Sequence, residues 1–235
     1  MLRELAAGWR HVFKLDPARP LSDEALRMII RSGTDAIIVG GTDGVTFENT
    51  WQLLSRIRAE QPVTVVQEVS DASAVVPGFD GWLIPSVLNA GDPGWIIGEH
   101  LDAIGRYGDL IPWNRLLLLA YVVLNPDSKV GRLTRARTDI PPEGASAYAR
   151  LVDRLFRWPV LYVEYSGRYG DPEWVREARR SLSDARLFYG GGITDERRAR
   201  EMAALADTVV VGNLVYARPE EAVRTVGWVK ETRRK

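Results

Sequence analysis

The first groups able to do chemistry are Lys14 and Asp16, which flank Leu15 at the end of an apolar run beginning at His11. The two-residue period of a strand puts both charges on one face. With Leu15 turned toward helices, a cation and a carboxylate point together into the space beyond the strand. That pairing suits an anionic, metal-associated substrate; it suits equally a plain ion pair that plugs the space. A second group is Tyr162, Glu164 and Ser166, which alternate along Tyr162-Val163-Glu164-Tyr165-Ser166-Gly167. A carboxylate set between a phenol and a hydroxyl can orient or deprotonate a substrate hydroxyl. It can also simply hold a loop.

Glycine-rich turns supply the complementary chemistry. Gly40-Gly41-Thr42-Asp43-Gly44, Gly190-Gly191-Gly192-Ile193-Thr194 and Gly212-Asn213 each follow a β-branched or aromatic run. Backbone N–H groups at such turns bind anions, and paired turns late in an α/β barrel commonly cradle a phosphate. Thr42 adds a hydroxyl that can meet a metal or a phosphate, although Thr42 or Asp43 could equally cap an ordinary turn. The mixed segment Asn125-Pro126-Asp127-Ser128-Lys129-Val130-Gly131 reads either as a substrate loop or as a capped surface loop. His11, at a strand start, and His100, inside a helix, read as structural.

Composition removes whole classes of function. With 31 basic and 31 acidic residues the formal charge is zero, against the basic excess of a nucleic-acid binder. There is no cysteine and there are only two histidines, which excludes disulfides, thiolate zinc, cysteine catalysis and a multi-histidine metal centre. No apolar run has the length of a membrane span, and the start Met1-Leu2-Arg3-Glu4-Leu5 lacks a signal-like stretch. A cytoplasmic protein is expected, with one domain over residues 1–235.

The elements that must position these groups alternate in kind. Strands are predicted at His11–Leu15, Ala36–Val39, Val63–Gln67, Gly81–Ile84, Leu116–Leu124, Val160–Glu164, Leu187–Tyr189 and Thr208–Val211. Helical segments follow nearly all of them, among them Pro93–Tyr107, Pro141–Phe156, Pro172–Leu182, Thr194–Leu205 and Pro219–Lys230. The third unit differs, because Asp71–Phe79 is short and broken by Pro77 and Gly78. Continuous β-branched runs between amphipathic helices indicate parallel strands covered on both sides. Eight such units in 235 residues predict a (β/α)8 TIM barrel with a weak or missing third helix. A doubly wound open sheet fits less well, since the first turn is Asp16-Pro17 and no dinucleotide or P-loop motif is present.

Five stretches in order carry a resemblance. They are His11-Val12-Phe13-Lys14-Leu15-Asp16-Pro17, Ser32-Gly33-Thr34-Asp35 through Val45, Tyr162 to Gly167, Tyr189 to Ile193, and Val211-Gly212-Asn213. Together they resemble the geranylgeranylglyceryl phosphate synthases over nearly the whole chain. The segments Asn125–Gly131 and Glu164–Gly167 are more similar to the bacterial branch, PcrB, the heptaprenylglyceryl phosphate synthases. The resemblance implies Mg2+-dependent transfer of a heptaprenyl group from its diphosphate to the primary hydroxyl of sn-glycerol 1-phosphate. It implies Lys14 at the glycerol phosphate and Asp16 and Thr42 on Mg2+. It further implies Tyr162, Val163, Glu164, Tyr165, Ser166, Gly167, Gly192, Gly212 and Asn213 around sn-glycerol 1-phosphate. Glu164 is then the expected catalytic acceptor of the hydroxyl proton. A homodimer is implied, and a polyprenyl diphosphate calls for a long apolar groove and peripheral contact with membrane lipid. Two other readings share some of these features: a phosphosugar isomerase or aldolase on the same kind of barrel, and a non-catalytic accessory module.

Overall fold

The computed structural model of the chain describes residues 2–234, so Met1 and Lys235, the ends of the expected domain, lie outside the described residues. Eight parallel strands close into a barrel in sequence order: β1 His11–Leu15, β2 Ala36–Val39, β3 Val65–Glu68, β4 Gly81–Val87, β5 Leu116–Val123, β6 Val160–Glu164, β7 Arg186–Gly190 and β8 Thr208–Val211. β8 closes on β1 through the register Val12 with Val210 and Phe13 with Val211. Four strands match their sequence-predicted bounds. β4 runs on through Pro85 to Val87, and β3 starts and ends later than its composition suggests. The late end matters, because it brings Glu68 into the sheet.

Strand alternation sorts the side chains into two apolar layers. Val12, Ile38, Val66, Tyr121, Tyr162, Phe188 and Val210 fill the barrel interior. Phe13, Leu15, Ile37, Val39, Val122, Val163, Tyr189 and Val211 pack outward against the helices. Leu15 therefore does face the helices, and Lys14 must point inward.

The helices are α1 Leu2–Ala7, α2 Asp23–Arg31, α3 Phe47–Arg58, α4 Gly98–Tyr107, α5 Lys129–Leu133, α6 Pro142–Arg150, α7 Pro172–Ser181, α8 Glu196–Leu205, α9 Asn213–Ala217 and α10 Pro219–Lys230. α2 starts at an N-cap, Ser22, whose hydroxyl accepts from the Ala25 N–H, and α3 starts at a capping box formed by Thr46 and Asn49. α1 was not evident in the sequence; its Leu2 and Ala6, with Trp9, close the base of the barrel interior. The unit after β3 is only a 3₁₀ turn, Ala72–Ala74. The buried Gln67 amide pins that loop from beneath, donating to the Ala74 carbonyl at 2.7 Å and accepting from the Val76 N–H at 3.0 Å. α6 ends in a π-helical stretch, Leu151–Phe156, and stops at Arg157, whose φ of 54° is left-handed. Among the described residues no helix is long and apolar enough to cross a membrane.

Candidate active site

A cavity of about 500 Å³ opens at the C-terminal ends of the strands. Lys14, Asp16, Thr42, Tyr162, Glu164, Ser166, Gly167, Gly192, Gly212 and Asn213 all line it. Val163 and Tyr165 do not. Both side chains belong to the layer between strands and helices, the odd positions in an alternation whose even members face the cavity. Their contribution to the mouth is backbone: the Tyr165 N–H donates to the Gly190 carbonyl at 2.7 Å and ties β6 to the glycine turn after β7.

Charge at the floor of the cavity is organised by a residue that sequence reasoning missed. Lys14 Nζ donates to Glu68 Oε1 at 2.6 Å, and Glu68 is almost fully buried. The Tyr121 hydroxyl donates to the second Glu68 oxygen. The Tyr121 ring stacks on Tyr162, with centroids 4.3 Å apart and planes 8° from parallel. The Tyr162 hydroxyl in turn reaches Glu164, whose Oε1 accepts from the Ser166 N–H at 2.6 Å. Gly190 makes this possible, because a Cβ there would sit 2.3 Å from the Tyr162 hydroxyl.

Burial pushes the Glu164 carboxyl up to about 7; Glu68 adds to the shift, while Lys14 and the Ser166 N–H oppose it. The Lys14 ammonium moves the other way from an ordinary buried lysine. Burial favours its neutral form, but Glu68, Glu164 and Asp16 outweigh that and raise its pKa. Burial, reinforced by neighbouring carboxylates, pushes the Tyr121 and Tyr162 phenols well up. At neutral pH the floor thus holds a charged lysine, two neutral phenols and a carboxyl poised between its two states.

Asp16 and Thr42 stand on the β1–β2 side. Gly41 leaves room for the Asp16 carboxylate, since a Cβ on it would lie 2.5 Å from Asp16 Oδ1. The Asp16 backbone N–H donates to the Tyr216 hydroxyl at 2.6 Å, and its Oδ1 accepts from the Ala18 N–H at 2.9 Å. One carboxylate and one hydroxyl are hard oxygen donors. They suit a small divalent cation that completes its shell with water and phosphate oxygens.

The opposite side is built from glycine. Gly192, at φ 55°, lies so close to the Arg168–Tyr169 backbone that an added Cβ would come within 2.2 Å of the Tyr169 nitrogen. Arg19 reaches over from the first loop, stacked 3.7 Å above the Tyr216 ring and donating to Asn213 Oδ1 at 2.9 Å. The Asn125–Gly131 segment runs along the rim of the cavity. Ser128 caps α5, Asn125 Nδ2 braces the Ser166 carbonyl at 2.6 Å, and Asp127, Ser128 and Lys129 line the rim. Lys129 pairs with Asp43 across the mouth at 2.9 Å.

Comparison with known proteins adds an independent line. The PcrB family profile matches residues 5–230. This chain belongs to the PcrB family. A heptaprenylglyceryl phosphate synthase of Bacillus cereus is 50% identical over 224 residues, covering 95% of this chain and 97% of the relative. One of Bacillus anthracis shares the same identity and coverage. Among solved structures, the (S)-3-O-geranylgeranylglyceryl phosphate synthase of Thermoplasma acidophilum, in complex with its substrate sn-glycerol-1-phosphate, superposes with a TM-score of 0.80 at 26% identity. Each of those two chains is covered to 96%. GGGPS of Thermoplasma volcanium has the same fold, with a TM-score of 0.84 at 23% identity, over 100% of this chain and 99% of the other.

Proposed function

We propose that this chain joins a long polyprenyl group, heptaprenyl by the names of its relatives, to the primary hydroxyl of sn-glycerol 1-phosphate. The observation that carries the reading is one cavity with a carboxylate–hydroxyl side, a glycine side and Glu164 between them. The glycine turns at Gly192 and Gly212-Asn213 are suited to the phosphate, with Lys14 below them. The Tyr162–Gly167 strand end orients the glycerol. The glycerol oxygen forms its bond to the allylic carbon as the bond from that carbon to the diphosphate oxygen breaks, the electron pair leaving with diphosphate. Glu164, held by the Ser166 N–H, takes the hydroxyl proton. A carboxyl pushed up to about 7 by burial is close to the ideal affinity for such a base near neutrality. Asp16 and Thr42 would hold Mg2+, and the ion would then supply neutralisation of the charge that grows on the departing diphosphate. The same reading includes a cytoplasmic homodimer that takes its polyprenyl substrate from membrane lipid.

A Schiff-base aldolase on this barrel is disfavoured by the electrostatics, because Glu68 and its neighbours hold Lys14 in the charged, non-nucleophilic form. Incubation of the protein with labelled sn-glycerol 1-phosphate and prenyl diphosphates of graded length separates the readings. Label should pass into extracted lipid, most with the heptaprenyl donor. No lipid label at any length, with a phosphosugar trapped on Lys14 by borohydride, would contradict the transferase.

A further inference from the structure

Lys14 has two buried carboxylates within electrostatic reach, Glu68 and Glu164. Among the described residues it forms its ion pair with Glu68 alone, at 2.6 Å. Three independent features fix that choice. The Tyr121 hydroxyl holds the other Glu68 oxygen, and Tyr121 is itself clamped by its stack on Tyr162. Gly40, on the neighbouring strand end, leaves space for the Glu68 side chain, since a Cβ at Gly40 would lie 2.7 Å from the Glu68 Cβ. The β3 register, with Gln67 opposite Val39 and Trp82, turns Glu68 inward beneath the cavity. Glu68 and Tyr121 do not themselves line the cavity, whereas Lys14 does.

We propose that Glu68 is a positioning residue for prenyl transfer: it engages the Lys14 ammonium so that the Glu164 carboxylate stays free of an ion pair and available to the substrate hydroxyl. The inference rests on the reading of Glu164 as proton acceptor. Glu68 and Glu164 are both buried beside one lysine at the cavity floor, and a buried charge is costly unless paired, so an ammonium stripped of one partner seeks the next. Without the Glu68 charge, the next strongest electrostatic partner is Glu164. The new pair would hold the base in an ion pair.

The test is a double-mutant cycle on the full chain, with initial rates measured against sn-glycerol 1-phosphate at saturating polyprenyl diphosphate. Glu68→Gln should lower kcat by about 10–100-fold and change KM by less than about threefold. Glu68→Asp, which keeps the charge, should recover part of that loss. In a Glu164→Gln background, Glu68→Gln should add little further loss, because both changes act on one proton acceptor. A residue that merely props the barrel would give a loss that multiplies with that of Glu164→Gln. That multiplicative result, or a kcat for Glu68→Gln within about twofold of wild type, overturns the proposal. Thermal melting checks each variant. Should Glu68→Gln fail to fold, Tyr121→Phe removes only the hydroxyl that pins Glu68 and carries the same test: a reduced kcat supports the proposal and an unchanged one overturns it. Failure of the transferase reading would look different, since wild type would then give no prenylated product at all.

Discussion

The two ends of the barrel both bury charge, and they use it in opposite ways. At the base, His11 lies fully buried with Nδ1 against the Thr34 hydroxyl and Nε2 against the Thr225 hydroxyl, each at 2.9 Å. Arg10 donates to the carbonyls of Ala203, Ala206, Asp207 and Thr232. Asp35 accepts from the Arg10 and His11 backbone N–H groups and pairs with Lys230. Every one of these polar groups finds its partner within the chain, as burial demands. At the mouth the partners stand one layer back. Glu68 and Tyr121 brace Lys14 from below, the Ser166 N–H braces Glu164 from the side, and Asp16, Thr42 and the glycine turns line the cavity. Even the wider depression at the base, about 670 Å³ and lined by residues such as Leu5, Arg58, Asp80 and Arg115, receives none of the candidate site residues. A barrel end that completes its own hydrogen bonds is stable; one that leaves them to a ligand can bind and react.

Substitutions at the two ends should therefore separate activity from stability. The largest effect on turnover is expected for Asp16→Asn, which removes the carboxylate at the end of β1: kcat should fall by about 10²–10³-fold, the scale of one lost electrostatic contact at a developing charge. Its melting temperature should barely move, because Asp16 is half-buried and tied mainly through its backbone. Near-normal turnover of this variant with Mg2+ removed would end the metal assignment.

Glu164→Gln should come next, with kcat lower by about 10²-fold or somewhat less and KM for sn-glycerol 1-phosphate little changed. A change confined to KM would make Glu164 a binding residue, with water taking the proton. In wild type, kcat should rise with pH as the carboxyl ionises around 7, and the residual rate of Glu164→Gln should lack that limb. The smallest effect on turnover is expected at the base. His11→Leu should leave kcat within about twofold of wild type while costing about 1–3 kcal/mol of stability, because it leaves two buried hydroxyls without a ring partner. A loss of turnover without loss of stability there would break the division between the ends.

The pH dependence of stability should carry the same contrast. Burial drives His11 down to about 3, against the pull of Asp35, so the fold excludes a proton that the unfolded chain accepts. Its contribution is complete above the ordinary histidine pKa and is lost as pH falls toward 3. Glu164 has the opposite sign: its raised pKa favours the protonated fold, and stability declines as pH rises from the ordinary carboxylate value through about 7. Denaturant titrations of His11→Leu and Glu164→Gln should each flatten the corresponding slope.

Much of this was legible in the sequence, for physical reasons that also explain the gaps. β-branched runs with no polar face can only be strands buried on both sides, and Lys14, Tyr162 and Glu164 stand out because alternation makes them inward exceptions. The same alternation turns the Val163 and Tyr165 side chains toward the helices, so only their backbone stands at the mouth. Glu68 was missed because Val65 and Val66 look like the middle of a strand ending at Gln67. The signal was present nonetheless: Glu68 stands two residues after the inward-facing Val66. Tyr121 was hidden inside the apolar run Leu116–Val123, where a phenol reads as one more core ring until its hydroxyl finds Glu68. Arg19 and Lys129 lie on loops, where no periodicity reports direction. α1 is only six residues long, and its role in closing the base depends on tertiary packing rather than on any local pattern.

The central claim, that the mouth divides into a glycine side for the glycerol phosphate and a carboxylate–hydroxyl side for the diphosphate, is tested most directly by calorimetric titration of sn-glycerol 1-phosphate into three proteins. These are wild type, Asp16→Asn and Gly212→Asp, the last a position where an added Cβ meets nothing closer than the Lys14 backbone oxygen at 3.5 Å. The account predicts affinity within about threefold of wild type for Asp16→Asn and at least tenfold weaker binding for Gly212→Asp, where a new carboxylate opposes the phosphate. Loss of binding in Asp16→Asn together with full binding in Gly212→Asp would contradict it.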